Sequence, residues 1–379
     1  MTTTTRPTSL VPLTELEIPG RGGTMQVDVA GRYLYCGHLA PGGGTSIVDV
    51  RDPARPKLLD GLPGARGSYS PKVQVADGLL IVNYERRTVE AERCGIGIFD
   101  ISADPAHPRE LAYLPTSGIG IHRLWYNGGR YAYLSGTPEG YRGHILQIAD
   151  IGDPTKPEIV GKWWVPGSWE AGGEPRTAPG KLGYYLHHAI IEGDRAYVGC
   201  WDYGVVILDI TDRTKPREIA HMGPWAPQLG GNSHTALPLL DRGLLVVTDE
   251  SIADLGQEPP KYVRVFDIAD ETKPQEISRF PVPAGDFASR GGRFGPHNLH
   301  ENRPGSFQSD QLIYVSYFNA GVRLFDIARP QAPKEVAAYV PEPPPGQPTA
   351  QVNDLYVDKD GIVFASDRNY GKLYIVETR

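Results

Sequence analysis

A short apolar segment that ends in aspartate recurs six times along the chain and restricts the folds that the chain can adopt. Each copy reads as a strand, an aspartate and a turn that contains proline, as in VILDITDRTKP from Val206. The repeated residues are Asp49, Asp100, Asp150, Asp209, Asp267 and Asp326, with Glu377 in the same place in a truncated seventh copy. Successive copies lie 50 to 59 residues apart, a period typical of β-propeller blades rather than of solenoid turns.

Each copy is predicted to form four short strands. The strands are rich in Val, Ile, Leu and Tyr, the turns in Gly, Asp and Pro, and no segment has a long helical period. Asp and Pro at these positions suit tight turns, so the repeated aspartates are assigned a structural role and no chemistry. The predicted class is therefore all-β.

The last copy stops after its third strand, which indicates how the ring closes. LTELEIPG, near residues 12–20, resembles the fourth strands of the other copies. We therefore expect a seven-bladed β-propeller whose ring is closed by an N-terminal strand that completes the last blade. On this interpretation residues 1–11 are a disordered tail, and residues 12–379 are a single domain.

Composition restricts the class of partner. The net charge is −7 and no basic patch stands out, so nucleic acid is not an expected partner. The apolar runs are strand-length and the N-terminus lacks an apolar signal core, so we expect a cytoplasmic protein without membrane contact. Three scattered cysteines form neither CxxC nor CxxCH, which argues against a disulfide framework and against attached haem. The expected partner is a small-molecule substrate, and the oligomeric state stays open.

The repeated strands also resemble a known family. VILDI and RLFDI, each followed by an Asp-Pro type of turn, are similar to the repeats of the LVIVD-repeat β-propeller family. The resemblance covers nearly the whole chain. It implies the propeller fold rather than an activity, because propellers host unrelated functions.

Four histidines occupy one register position, at the start of the first strand of successive copies. They are His122, His188, His234 and His297; Gln26, Lys72 and Asp354 take that place in the other copies. First strands line the axis of a propeller, so the four imidazoles are predicted to converge on a metal ion. Two alternatives stay open: metal-free acid–base work by one or two histidines, and a polar channel lining without chemistry. Strand alternation is expected to turn His187 away from the axis, and His300 is a further neighbour; whether either joins the site stays open.

The predicted cofactor is a divalent transition metal. A set of imidazoles without cysteine suits Fe(II), Mn, Cu or Zn, and Fe(II) is favoured. Such an ion with open positions can bind O₂ or polarise a substrate oxygen. Two propeller families offer analogies at the level of the fold. Carotenoid-cleavage oxygenases hold iron with four histidines from different blades, and oligogalacturonate lyase uses a histidine-ligated divalent metal for elimination.

Polar and aromatic residues are predicted at the same end of the propeller as the histidines. Residues 163–187 are expected to form a lid over the axial mouth. Glu139 and the other turn carboxylates are expected to accept hydrogen bonds from the outer nitrogens of the ligating histidines. The candidate catalytic residues are Glu85, Asp202, Tyr203, Glu250 and Asp354. The candidate substrate-binding residues are Trp125, Trp164, Tyr185, Trp201 and Arg123, since aromatic walls bind apolar molecules and arginine binds carboxylates.

The sequence thus predicts a metal-dependent enzyme. The favoured reaction is oxidation or oxygenation of a small hydrophobic or aromatic compound. The first alternative is a metal-dependent lyase or isomerase that acts by proton abstraction and elimination. The second is an interaction scaffold without enzymatic activity, although scaffolds seldom need matched axial histidines.

Overall fold

Seven small antiparallel sheets make up the molecule. The computed structural model describes residues 9–177 and 183–379. Within that part of the chain each sheet is one blade of a β-propeller, and the inner strands of neighbouring blades contact one another around the ring. The predicted all-β class and the seven blades are confirmed. Residues 1–8 of the predicted tail and residues 178–182 of the predicted lid lie outside the described residues.

The strands follow one another in the order that the repeats predict. In chain order they are β1 (Leu10–Glu17), β2 (Thr24–Ala30), β3 (Tyr33–His38), β4 (Thr45–Asp49), β5 (Lys57–Leu58), β6 (Ser68–Tyr69), β7 (Val73–Ala76), β8 (Leu79–Arg86), β9 (Gly95–Asp100), β10 (Arg109–Pro115), β11 (Ile121–Trp125), β12 (Tyr131–Gly136), β13 (Ile145–Asp150), β14 (Glu158–Trp163), β15 (His188–Glu192), β16 (Arg195–Gly199), β17 (Val205–Asp209), β18 (Arg217–Met222), β19 (Ser233–Leu239), β20 (Leu244–Asp249), β21 (Val263–Asp267), β22 (Gln275–Arg279), β23 (Leu312–Ser316), β24 (Val322–Asp326), β25 (Lys334–Tyr339), β26 (Val352–Val357), β27 (Ile362–Asp367) and β28 (Lys372–Thr378). Single 3₁₀ turns span Pro227–Leu229, Leu240–Arg242 and Phe287–Ser289. In the described ranges no helix has the length and apolar character needed to cross a bilayer.

The N-terminal strand closes the ring. β1 is the outer strand of the last blade and pairs antiparallel with β28, from Leu10 opposite Thr378 to Glu17 opposite Lys372. Ser9 and Arg379 exchange two backbone hydrogen bonds of 3.0 Å beyond the end of that ladder. The predicted closure is confirmed, and it leaves no unpaired strand edge between the first blade and the last.

The core lies between the blades. Each blade packs against a neighbour on both faces, so its middle strands read as continuous apolar runs instead of alternating ones. In β17, whose sequence is VVILD, the four apolar residues are all buried. Burial on both faces is why the repeat has its run of aliphatic residues.

The repeated aspartates cap turns. Oδ1 of Asp209 accepts a hydrogen bond of 2.9 Å from the backbone amide of Thr211, two residues on. The same bond is made by Asp49, Asp100, Asp150, Asp267 and Asp326. A carboxylate held by its own turn stabilises the bend, and the structural role assigned to these residues is confirmed.

A loop closes the axis at the end opposite to the histidines. Residues 296–300 take the inner position of blade 6, beside β23, and the chain then crosses beneath the axis. There the Arg303 side chain contacts the Asp28 carboxylate and donates to the carbonyl oxygens of Val75 at 3.1 Å and Tyr126 at 2.8 Å. These three partners belong to or adjoin the inner strands of blades 1, 2 and 3. The segment 301–311 is called the plug below.

Candidate metal centre

A β-bulge recurs at the upper end of the axis, where the inner strands begin. The pairing register shifts between Ile121 and Arg123 in blade 3 and between Ser233 and Thr235 in blade 5. Blades 1 and 7 shift at the same level. Two consecutive residues at a bulge face one partner, so the alternation of side chains between the two faces fails there.

The bulge places His187 rather than His188 among the other histidines. His188 pairs with Gly199, and the His187 amide also donates to the Gly199 carbonyl, at 2.8 Å. The expectation that alternation turns His187 away is wrong, because two residues share one partner at this point. Nε2 of His187 lies 3.1 Å from Nε2 of His122, and the centres of the His187 and His234 rings are 3.9 Å apart.

Five imidazole rings form a row across blades 3 to 6. The ring centres of His144 and His122 are 4.9 Å apart, those of His122 and His187 are 5.0 Å apart, and those of His234 and His297 are 4.3 Å apart. His144 was not predicted to join, because it precedes β13 instead of opening an inner strand. The predicted convergence of His122, His234 and His297 is present in this row.

A carboxylate lies near each end of the row. Oε2 of Glu85 is 2.9 Å from Nδ1 of His122, as expected for a carboxylate that orients a ligand. Burial would raise the pKa of Glu85, but the neighbouring His122 and Arg87 lower it to about 2. Glu250 reaches Nε2 of His297 at 3.5 Å and Nε2 of His234 at 3.9 Å, so it sits among the candidate ligands rather than behind them.

In three rings Nδ1 is engaged by a neighbouring group, and Nε2 lies on the side of the cluster. Nδ1 of His122 bonds Glu85, Nδ1 of His234 is 2.8 Å from the Thr235 hydroxyl, and Nδ1 of His297 is 2.5 Å from the Asn353 carbonyl oxygen. A carboxylate or carbonyl acceptor fixes the proton on Nδ1 and leaves the Nε2 lone pair for an ion. His122 Nε2 therefore needs a proton or a cation between it and His187 Nε2.

The donor atoms of three residues could hold one metal ion. One ligand atom each from His187, His234 and Glu250 lies within 4.8 Å of the others, and all three residues are buried. Two ligands at about 2.1 Å from an ion, separated by 90–110°, lie roughly 3.0–3.4 Å apart, so small movements bring these atoms to bonding distance. Nδ1 of His187 and Nε2 of His234 have no hydrogen-bond partner among the described residues. Buried, unpartnered nitrogens of this kind are what an ion would satisfy.

Electrostatics keep the central imidazoles neutral. Burial holds the pKa of His187 and of His234 well below the usual range, and the positive charges of Arg123 and Lys72 lower it further. The pKa of His297 is also held low, first by burial and then by Lys72. Neutral imidazole is the form that binds metal.

His188 lies apart from the row. Its ring packs 5.9 Å from that of Trp125, and its Nε2 is 3.6 Å from Oε1 of Glu301. Of the two neighbouring histidines of blade 4, His187 and not the predicted His188 therefore lies in the row. His300 accepts from the Tyr314 amide through Nδ1 and contacts Asn302 through Nε2, so both its nitrogens are engaged away from the cluster.

Several predicted catalytic residues lie outside the cluster. Asp202 accepts a hydrogen bond from the Gly183 amide at 2.8 Å, and Tyr203 stacks on His221 with ring centres 3.8 Å apart. Glu139 is exposed and bonds no histidine among the described residues. Asp354 is buried, and its carboxylate accepts a hydrogen bond from the backbone amide of the next residue, Leu355; burial raises the pKa of Asp354. The geometry thus gives Asp202, Tyr203 and Glu139 no direct contact with the row.

Aromatic side chains line the approach to the row on the side of blades 3 and 4. Tyr185 lies 5.9 Å from His144 and 5.6 Å from Trp201, measured between ring centres. Trp164 packs nearby on Tyr141 and Trp169, whereas Trp125 lies deeper, beside His188. A cavity of about 200 Å³ borders Tyr184 and Tyr185. The His122 side chain keeps 24% exposure, so the row opens to solvent there.

Two residues near the row, Glu301 and Lys72, were given no role by sequence reasoning. Glu301, in the plug, bonds Arg123 at 3.0 Å beneath the row, and Lys72 is buried at the level of the histidines. The only signal for the plug was the long interval between the start of the sixth inner strand and β23. The signal for Lys72 was its place in the same register as the histidines.

The fold and the site together define a seven-bladed β-propeller with a buried histidine–glutamate cluster at the upper end of its axis. The family model of the LVIVD repeat matches residues 21–60 and 189–222. Two segments of the propeller thus carry the LVIVD repeat that the resemblance implied. No curated protein sequence matches it significantly.

Solved structures share the fold at low sequence identity. A chain of the mitotic checkpoint complex matches with a TM-score of 0.62 and 10% identity, over 97% of this chain and 95% of that one. A Bacteroides fragilis protein assigned provisionally as a 6-phosphogluconolactonase matches with a TM-score of 0.55 and 13% identity, over 91% of this chain and 86% of that one. The computationally designed protein Ika8 matches with a TM-score of 0.54 and 11% identity, over 97% of this chain and 100% of that one. At such identities the likeness concerns the fold alone.

Proposed function

We propose that this protein is a metal-dependent enzyme that oxidises or oxygenates a small hydrophobic or aromatic compound. The observation that carries the proposal is the buried group of His187, His234 and Glu250, whose donor atoms lie within 4.8 Å of one another. Two histidines and one carboxylate with open positions are typical of non-haem Fe(II) oxygenases. His122 and His297 stand beside this group and complete the candidate ligand set.

The chain's own residues have separate roles in this proposal. Glu85 and the Asn353 carbonyl orient the rings of His122 and His297, and Arg293 holds Glu250 through an ion pair of 3.0 Å. An ion such as Fe(II), when bound, supplies open positions at which O₂ or a substrate oxygen is activated. Burial of the cluster excludes bulk water and strengthens every charge interaction within it. The aromatic approach beside Tyr185 and Trp201 suits a ring-bearing substrate.

Metal analysis of the full chain, purified without chelators, tests the proposal. We expect about one transition-metal ion per chain in the wild type, and roughly tenfold or greater loss of metal affinity in His234→Ala and in Glu250→Ala. His107→Ala, an exposed histidine in an Asp-Pro turn, is the matched control and should keep the metal. Equal metal content in all four proteins would contradict the proposal.

Oxygen uptake separates the favoured reaction from its alternative. The Fe(II)-loaded protein should consume O₂ when small aromatic compounds are added, and the His234→Ala variant should not. Turnover of such compounds without O₂ uptake would replace the oxidoreductase by a lyase or isomerase at the same ion. Absence of any ion would leave the fold as an interaction scaffold.

A further inference from the structure

The ring of seven inner strands is asymmetric in charge at the level of the metal cluster. Blades 3 to 6 contribute the imidazoles of the row. Blade 2 contributes Lys72 at the same register position, and Asn83 fixes its backbone on both sides, at 2.8 and 3.1 Å. A lysine side chain is therefore contributed at the same register position as the histidines, within electrostatic range of His187 and His234.

Lys72 has no partner of its own. Its side chain is buried, at 2% exposure, yet within the described ranges its ammonium makes no hydrogen bond and has no carboxylate oxygen within 4.0 Å. Burial makes the charged ammonium costly and lowers the pKa of Lys72 to about 7, because no contacting counter-charge replaces its hydration. A ligand that carries negative charge would remove that cost.

Arg123 adds further unused donors nearby. Its Nη2 donates a hydrogen bond to Glu301 at 3.0 Å, but its Nε and Nη1 are buried without a partner among the described residues. The charges of Arg123 and Lys72 act on each other and on His187, His188 and His234, so both cations lie within electrostatic range of the cluster.

Two other arginines near the axis are already paired. Arg303 is bound to Asp28, and Arg293 is bound to Glu250. Arg123 is neutralised by Glu301 although some of its donors stay free. Lys72 is thus, together with Arg368, one of the cations near this end of the axis that have no contacting counter-charge among the described residues, which suits an anionic ligand.

We propose that Lys72, supported by the free donors of Arg123, binds a carboxylate of the substrate, so that the substrates of this protein are carboxylates. This inference rests on the proposed function, since it places the carboxylate beside the metal and the remainder of the molecule toward the aromatic approach. Charge-assisted hydrogen bonds to a planar carboxylate hold it in one orientation. The orientation then decides which carbon of the substrate lies next to the ion.

Calorimetric titration of the metal-free full chain with benzoate tests the inference without relying on activity. Benzoate should bind, and benzamide, its neutral counterpart of the same shape, should bind at least about tenfold more weakly, because charge-assisted bonds are the stronger ones. Lys72→Met should weaken benzoate binding about tenfold or more, whereas Lys72→Arg should retain most of it. The matched control is Lys156→Met, at an exposed lysine of a distant turn, and it should bind like the wild type.

Two outcomes would overturn the inference: equal benzoate affinity in Lys72→Met and wild type, or equal affinity of the wild type for benzoate and benzamide. Circular dichroism of each variant checks that it is folded, and Lys72→Arg supplies a charge-retaining protein if Lys72→Met does not fold. In that case the Lys72→Arg variant decides: equal affinity of this variant for benzoate and for benzamide contradicts the inference. Metal content, measured on the same preparations, keeps the two proposals apart. Normal metal content together with a benzoate affinity that Lys72→Met does not change would contradict only the carboxylate site. Benzoate binding that depends on Lys72, in a protein that binds no metal, would contradict only the proposed enzyme.

Discussion

At the scale of single residues, the partner of Nδ1 decides what each histidine can do. His122, His234 and His297 have Nδ1 engaged by a carboxylate, a hydroxyl and a carbonyl, respectively, which leaves Nε2 for the cluster. His300 has both nitrogens engaged elsewhere and is a structural residue. Histidines near the axis can therefore differ in role according to the hydrogen-bond partners of their two ring nitrogens, which the sequence alone does not show.

The pair His187 and His188 gives the sharpest test at this scale. We expect His187→Ala to lower metal affinity roughly tenfold or more, since its ring lies between those of His122 and His234. His188→Ala, the matched variant one residue on, should retain the metal because its ring faces Trp125. Metal titration of both variants decides the matter, and the reverse order of effects would restore His188 as the ligand from blade 4.

The register of the histidines could be predicted from the sequence, but the choice between neighbours could not. Repetition identified His122, His234 and His297, because each opens an inner strand at the same point of the repeat. Selecting between His187 and His188 depended on strict alternation, and the bulge opposite Gly199 removes it. A bulge depends on the hydrogen bonding between two strands. The sequence around His187 and His188 contains no residue pattern that predicts it.

At the scale of elements, the strands were predictable and the plug was not. Apolar runs, Asp-Pro turns and the missing last strand are local patterns, and they predicted the blades and the pairing of β1 with β28. The plug has no repeat and little apolar character. It is held by long-range contacts, above all those of Arg303 with Asp28 and with the carbonyls of two further blades.

Removing the Arg303 side chain should weaken the lower end of the propeller. Arg303→Ala leaves the buried Asp28 carboxylate without its counter-charge, and we expect a loss of about 3–5 kcal/mol in the free energy of unfolding. The double variant with Asp28→Asn should lose less than the sum of the two single variants, because the residues share one interaction. Urea unfolding of the four proteins measures the coupling, and strictly additive losses would show that the pair is not coupled.

At the scale of the whole molecule, the apolar core lies between the blades and apart from the candidate metal cluster. Burial between seven blades supplies the core, and the cluster occupies only the upper end of the axis. Small domains that fold only with their metal lack such a core. The site is therefore expected to be carried by the fold rather than to hold it together.

Metal removal should leave the protein folded. After chelation we expect an unchanged far-ultraviolet circular dichroism spectrum and a modestly lower Tm, since an ion that binds only the native state stabilises it by mass action. Adding Fe(II) back should restore the Tm of the wild type but not that of His234→Ala. Unfolding upon chelation would make the ion a structural element, and identical Tm values with and without it would argue against tight binding.

The pairing of β1 with β28 also has a consequence for synthesis. Lys372 and Glu15, which form an ion pair across this ladder, are separated by 357 positions in the chain. The ribosome thus makes β1 before the other strands of the propeller, and the partner strand β28 after all of them. Until then an unpaired strand edge is open to wrong pairing. Formation of the last blade is therefore the folding step before which such a chain is most vulnerable to aggregation, and the step at which binding by a chaperone is most useful.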